Sequence, residues 1–209
     1  MAKRLEGKSD ELIRCAQNEF MEMGFQDASM RVIAAKAGVS TGAIYTRFGD
    51  KAGLFHAIVD DAVNQLVEWF LQAQKTFDER TVEEKADVLD YAKDKFLGMV
   101  DDLYDNYDVF RMILRCTDID CYDQLLSRLV EIDNEYTLRY MRSTNHDAIA
   151  SGRVSPEMLH ILASAYYASL FETIRHEMPR EKAYAYARQL RRFFSAGWAD
   201  ILEIKPDDG

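Results

Sequence analysis

The sequence predicts an all-α protein, and three observations carry that expectation. Apolar residues recur every three or four positions along most of the 209-residue chain, and no segment alternates as a half-buried strand would. Between Gly53 and Gly152 only Gly98 interrupts the pattern. The three prolines punctuate it: Pro156 follows a capping serine, Pro179 marks a second boundary, and Pro206 lies in the exit KPDDG. Hydrophobic residues at 48% and charged residues at 30% are the balance of a folded chain rather than a disordered one, with length enough for a substantial core.

The first helix is predicted from Ser9, its cap, to Met23, with Leu12, Ile13, Ala16, Phe20 and Met23 on one face. Gly24 supplies a left-handed exit, after which Phe25 can fold back. The second helix opens at Ser29, turns Val32, Ile33 and Ala37 inward, and stops at Gly38. Ser40 caps a short third helix anchored by Ile44 and Phe48. Two short helices joined by Gly38–Val39–Ser40 form the pattern of a helix-turn-helix. After Gly49 and Asp50, a long helix from Lys51 toward Lys75 carries Leu54, Phe55, Ile58, Ala62, Leu66 and Phe70 inward. Further helices are expected at about 82–104, 107–116, 120–150, 155–177 and 180–204. We therefore expect an N-terminal three-helix domain over 1–54 and a larger helical bundle over 55–209.

Charge is divided unevenly. Residues 1–56 hold eight Lys or Arg against seven acids, a net of +1, whereas residues 57–209 hold 18 against 29, a net of -11. The overall charge of -10 thus describes the larger part and does not exclude nucleic-acid binding by the smaller. No run approaches the ~20 apolar residues of a membrane span, and the start MAKRLEGKSDELIR lacks a signal-peptide core. With three cysteines, a reducing cytoplasm is the expected compartment. Cys116 and Cys121 bracket Asp118 and Asp120 without a second ligand pair at metal spacing, so a structural thiol pair is favoured over zinc, with a redox sensor as the alternative. No metal and no cofactor is expected.

The run SMRVIAAKAGVSTGAIYTRFGDKAGLF, residues 29–55, resembles the DNA-binding signature of the tetracycline-repressor (TetR/AcrR) family. The matching features are Ala-Gly-Val-Ser at the turn, Gly-x-x-Tyr-x-x-Phe on the third helix and Lys51 at the start of the fourth. The chemistry of these residues agrees with the resemblance. Ser40 caps a helix whose first turn offers free N–H groups to a phosphate, and Gly42 lets the backbone come close to a groove. Tyr45 lies one turn along with a hydroxyl for a phosphate, and Lys51 can neutralise a second one. Thr41, Ala43, Thr46 and Arg47 stand near enough to meet phosphates, base edges or thymine methyls, with Arg31 a further candidate and Lys3, Arg4 and Lys8 a loose arm. Two departures occur: Arg47 stands where a histidine often precedes the phenylalanine, and Ala52–Gly53 stands where acidic helix formers are common, which is expected to loosen the fourth helix.

The resemblance implies a homodimer on a palindromic operator in double-stranded DNA, an unknown small-molecule effector, and no enzymatic or membrane role. Two stripes are expected to form the dimer surface: Leu159, Ala163, Tyr166, Leu170 and Ile174, and Leu190, Phe194, Gly197, Trp198 and Ile201. They could equally close an internal core. Candidate cavity residues are Met99, Tyr104, Tyr107, Phe110, Met112, Cys116, Tyr136, Tyr140, Tyr167 and Phe171, and the acidic surplus would suit a cationic ligand. The rival reading is a helical-bundle enzyme or cofactor binder with a purely structural N-terminal region.

Overall fold

The computed structural model describes the backbone of residues 2–203 and the side chains of 10–203 apart from 87, 90, 92–94 and 96. Among the described residues every regular element is helical. In chain order they are α1 (Ala2–Asp27), α2 (Met30–Ala37), α3 (Thr41–Phe48), α4 (Lys51–Asp78), a 3-10 turn at Glu84–Asp87, α5 (Val88–Asp105), α6 (Tyr107–Arg115), α7 (Cys121–Ser143), α8 (Pro156–Arg175) and α9 (Arg180–Ile201).

Several boundaries differ from expectation for local reasons. The helical backbone of α1 begins at Ala2 rather than Ser9, so the segment carrying Lys3, Arg4 and Lys8 continues the helix instead of forming a loose arm. Gly24, at φ +79°, breaks the regular helix as expected, and Phe25 turns back to stack on Phe20 with ring centroids 5.9 Å apart. The expected helix to residue 150 stops at Ser143. There Asn145 adopts φ +52° and the His146 N–H reaches back to the Met141 carbonyl (2.7 Å), a left-handed cap that asparagine tolerates.

The chain divides into two compact units, Met1–Gln65 with Asn106–Tyr122, and Leu66–Asp105 with Asp123–Gly209, and α4 runs from one into the other. In the first unit, α1 packs on both α2 and α6. Leu12, Ala16, Phe20, Ile33, Ile44, Leu54 and Phe55 are buried there, and Phe20, Phe25 and Phe55 meet edge-on or stacked within 5.9 Å. The segment around α6 is sewn to the end of α1 by Arg115, whose Nε donates to the Met21 carbonyl at 2.6 Å. Two inward assignments are corrected: Met23 is 52% exposed and Val32 is 39% exposed, because α2 buries the face of Met30, Ile33, Ala34 and Ala37 instead.

In the second unit α5 and α8 both pack on α9. Phe70, Met99, Leu103, Leu125, Leu129, Leu170 and Phe171 are buried in it. Gly98 lets α5 approach Trp69, since a Cβ at this position would lie 2.6 Å from the indole ring.

Candidate functional site

Three short segments build the helix-turn-helix. The Ser29 hydroxyl accepts from Val32 N–H (3.4 Å) to open α2. Gly38, at φ +63°, closes it by donating to the Ala34 and Ala35 carbonyls. Ser40 then caps α3, its hydroxyl accepting from Ala43 N–H at 3.1 Å. Ile44 is fully buried and fixes α3 to the head. The opposite face is open: Gly42, Ala43, Tyr45, Thr46 and Arg47 are exposed, as are Ser40 and Arg31, while Thr41 is half-buried. The expected contact residues of α3 therefore share one solvent-facing surface around a capped N-terminus. Thr46 donates to the Gly42 carbonyl (2.9 Å), and the Arg47 guanidinium sits 5.1 Å from the Phe48 ring centroid.

The two glycines of this region differ in kind. A Cβ at Gly42 would meet nothing closer than the Ser40 hydroxyl at 3.9 Å, so the chain's own packing does not require glycine there. A Cβ at Gly53 would lie 1.9 Å from the Phe48 carbonyl oxygen, so only glycine fits between the end of α3 and the start of α4. That start is not loosened as expected: Asp50 accepts from Gly53 N–H at 2.7 Å and secures it.

Lys51 is placed otherwise than the sequence suggested. Its ammonium donates to the Gln26 carbonyl (2.7 Å) and the Ala28 carbonyl (3.1 Å) and lies 5.1 Å from the Phe25 ring centroid. It thus ties the end of α1 to the start of α4, satisfying carbonyls beyond the last turn of α1. Glu19, overlooked in the sequence, has a related task. Only 4% exposed, it accepts from Ser29 N–H (3.2 Å) and from the Lys36 ammonium (3.1 Å), so one buried carboxylate holds both ends of α2. A single acidic residue on the inward side of α1 was the available signal.

Comparison with known proteins agrees with this geometry. Residues 12–58 match the family model for bacterial regulatory proteins of the tetR family. Over these residues the first unit is similar to regulators of that family. The HTH-type transcriptional regulator BetI of Stenotrophomonas maltophilia (strain R551-3) is 30% identical over 102 residues, covering 49% of this chain and 46% of BetI. The chain therefore matches about half the length of that curated relative. Among solved structures, native NalD, the secondary repressor of the MexAB-OprM multidrug efflux pump in Pseudomonas aeruginosa, is similar with a TM-score of 0.61 at 19% identity, covering 92% of this chain and 96% of NalD. A TetR-like transcriptional regulator from Rhodococcus sp. RHA1 is similar with a TM-score of 0.55 at 23% identity, covering 95% and 97%. At these identities the structures show a shared fold.

The second unit holds a cavity of about 120 Å³. Met99, Tyr136, Tyr140 and Tyr167 line it, as the sequence reading expected. Tyr104 and Phe171 do not: the Tyr104 hydroxyl donates to the Met178 carbonyl (2.8 Å), and Phe171 is core. Tyr107, Phe110, Met112 and Cys116 are corrected more strongly. They belong to the first unit, where α6 packs on α1, and Phe110, Met112 and Cys116 are fully buried. Helical spacing cannot say which neighbour a face will meet. The wall residues missed in the sequence include Phe70, Phe77 and Tyr91, with Lys95 and Asp133 inside the same cavity.

The stripes expected at a dimer surface are also relocated. Leu159, Ala163, Leu170 and Ile174 are buried core, and Ala163, Tyr166, Phe194 and Trp198 line the cavity. Leu190 and Ile201 are half-buried, and Gly197 is exposed. The solvent-facing apolar residues are instead Met158 (45% exposed), Ile161 (58%) and Phe193 (75%) on α8 and α9. The three cysteines are free and buried. Burial foremost, with neighbouring carboxylates, pushes the Cys116 and Cys121 thiols up to about 11, which suits inert packing groups. No group of three or more potential metal ligands occurs among the described residues, and no helix there is long and apolar enough to cross a membrane.

Proposed function

We propose that this chain is a ligand-responsive transcriptional regulator that binds a palindromic operator as a homodimer. The observation that carries the DNA-binding half is the open face of α3: a capped helix start, a glycine that internal packing does not demand, and exposed Tyr45, Thr46 and Arg47 beside it. The free N–H groups of the first turn receive a phosphate, Gly42 allows close approach, and Tyr45 donates to the backbone of the duplex. Arg47, Thr46, Thr41 and Ala43 reach base edges, and Arg31 reaches a flanking phosphate. Lys51 contributes by holding the head together through the Gln26 and Ala28 carbonyls.

A single head reads only a few base pairs, so two heads on half-sites about a helical turn apart are needed for useful specificity. The second copy docks on Ile161 and Phe193, the two most exposed large apolar side chains among the described residues. An effector in the cavity of the second unit changes DNA affinity by favouring one arrangement of the dimer over another.

The test is binding of the purified chain to DNA upstream of its own gene at ~0.1 M salt, where non-specific affinity is weak. Sequence-specific binding that falls tenfold or more in Tyr45→Ala, with unchanged helicity, is the expected result. Equal affinity for operator and scrambled DNA would refute it and favour a bundle protein with a structural N-terminal region.

A further inference from the structure

Resting on the effector reading above, the cavity's own chemistry specifies the class of ligand. The wall is rich in aromatic rings, Phe70, Phe77 and Tyr91 among them, and its charged groups among the described residues are Asp133 and Lys95. The two polar groups are not equally satisfied. Asp133 Oδ1 accepts from Gln74 Nε2 at 2.9 Å and from the Tyr167 hydroxyl at 2.7 Å. Lys95, with 12% of its side chain exposed, has its Nζ 3.9 Å from that same oxygen, beyond hydrogen-bond length, and 4.9 Å from the Phe70 ring centroid. Among the described residues no hydrogen bond reaches this ammonium.

An aromatic wall with a carboxylate is ordinarily a seat for a cation. Here Lys95 already occupies that seat, above Phe70 and beside Asp133, so a cationic ligand would meet a like charge in a poorly solvated space. Beside Asp133 Oδ2, which accepts no hydrogen bond among the described residues, the open groups are hydroxyls and N–H donors. Lys95 has three N–H groups, and no hydrogen bond from the Tyr136 or Tyr140 hydroxyl occurs among the described residues, both rings lining the same cavity. Burial also works against the lysine's charge, and an arriving anion would restore it.

We infer that the cavity binds an apolar, flat or aromatic molecule bearing one anionic group, a carboxylate or its equivalent, which accepts from Lys95. This reverses the cationic preference that the acidic composition suggested, because that surplus lies elsewhere on the chain.

Three probes with one body and different heads test the inference on the full chain by calorimetry: 2-naphthoate, 2-naphthylmethanol and 2-naphthylmethylammonium. The carboxylate is expected to bind wild type about tenfold or more tighter than the ammonium, as a buried charge-assisted hydrogen bond implies. Lys95→Met should erase that advantage while leaving the alcohol's affinity within about twofold. Should Lys95→Met fail to fold, judged by its circular dichroism, the ranking of heads on wild type still decides. Ammonium or alcohol binding as well as or better than carboxylate overturns the anion assignment alone. Failure of all three to bind overturns the effector reading of the cavity and the assignment with it.

Discussion

Gly42 and Gly53 are the same residue type eleven positions apart, yet they answer to different constraints. Gly42 meets no internal neighbour inside 3.9 Å, so a longer side chain there should relieve the helix-propensity penalty of glycine, worth about 1 kcal/mol. Gly42→Gln is therefore expected to raise the melting temperature slightly while weakening operator binding tenfold or more, a pairing that a merely structural glycine would not produce. Thermal melts and gel-shift titrations read the two effects. Gly53→Ala should do the reverse. Its Cβ would overlap the Phe48 carbonyl, and overpacking of this kind costs about 1–3 kcal/mol, seen as a lowered melting temperature. The buried cysteines carry a third expectation. With Cys116 and Cys121 held up near 11, a disulfide-exchange reagent at pH 8 should label none of the three thiols until denaturant unfolds the chain. Rapid labelling of the native protein would revive the redox-sensor reading.

At the scale of elements, short helices need fixed ends. An eight-residue helix such as α3 is marginal by itself, and the Ser40 cap and buried Ile44 are what hold it. Ser40→Ala should cost about 1 kcal/mol of stability and should also lower DNA affinity, because it frays the turn that presents phosphate-binding N–H groups. The faces of α8 and α9 make a sharper distinction. Phe193→Asp should leave a folded monomer, because the ring is 75% exposed, whereas Leu159→Asp should fail to fold, because Leu159 is 2% exposed. Analytical ultracentrifugation with circular dichroism separates the outcomes. A dimeric Phe193→Asp variant would place the second copy elsewhere. The period of Leu159, Ala163, Tyr166, Leu170 and Ile174 was plain in the sequence, but a period marks a buried face without saying whether a subunit partner or the chain itself covers it.

For the whole molecule, α4 is a continuous 28-residue helix that begins in the first unit and carries Phe70, Gln74 and Phe77 into the wall of the cavity in the second. If effector and operator compete through the chain's arrangement, linkage requires their effects to be reciprocal. An effector that weakens operator binding by a given factor must have its own affinity lowered by the same factor when operator is present. Calorimetric titrations with and without operator check this equality, and unequal apparent factors would mean that a change of oligomeric state accompanies one of the binding steps.

The all-helical class, the helix-turn-helix and the capped start of α3 were legible in the sequence because they depend on neighbours close along the chain. Caps at Ser29 and Ser40, the turn at Gly38 and the 3.6-residue period act locally, and the signature around Tyr45 is contiguous. What only the tertiary structure decided depends on partners distant in sequence. Lys51 looked like a free cation until the Gln26 and Ala28 carbonyls stood beside it, and Tyr107 to Cys116 looked like a cavity wall until α6 was found against α1. Lys95 and Asp133 gained their meaning only when α5 and α7 brought them into one aromatic space, 38 positions apart in the chain. The physical reason is that hydrogen bonding and periodicity constrain a residue through its own helix, whereas burial and desolvation are set by whatever packs on it.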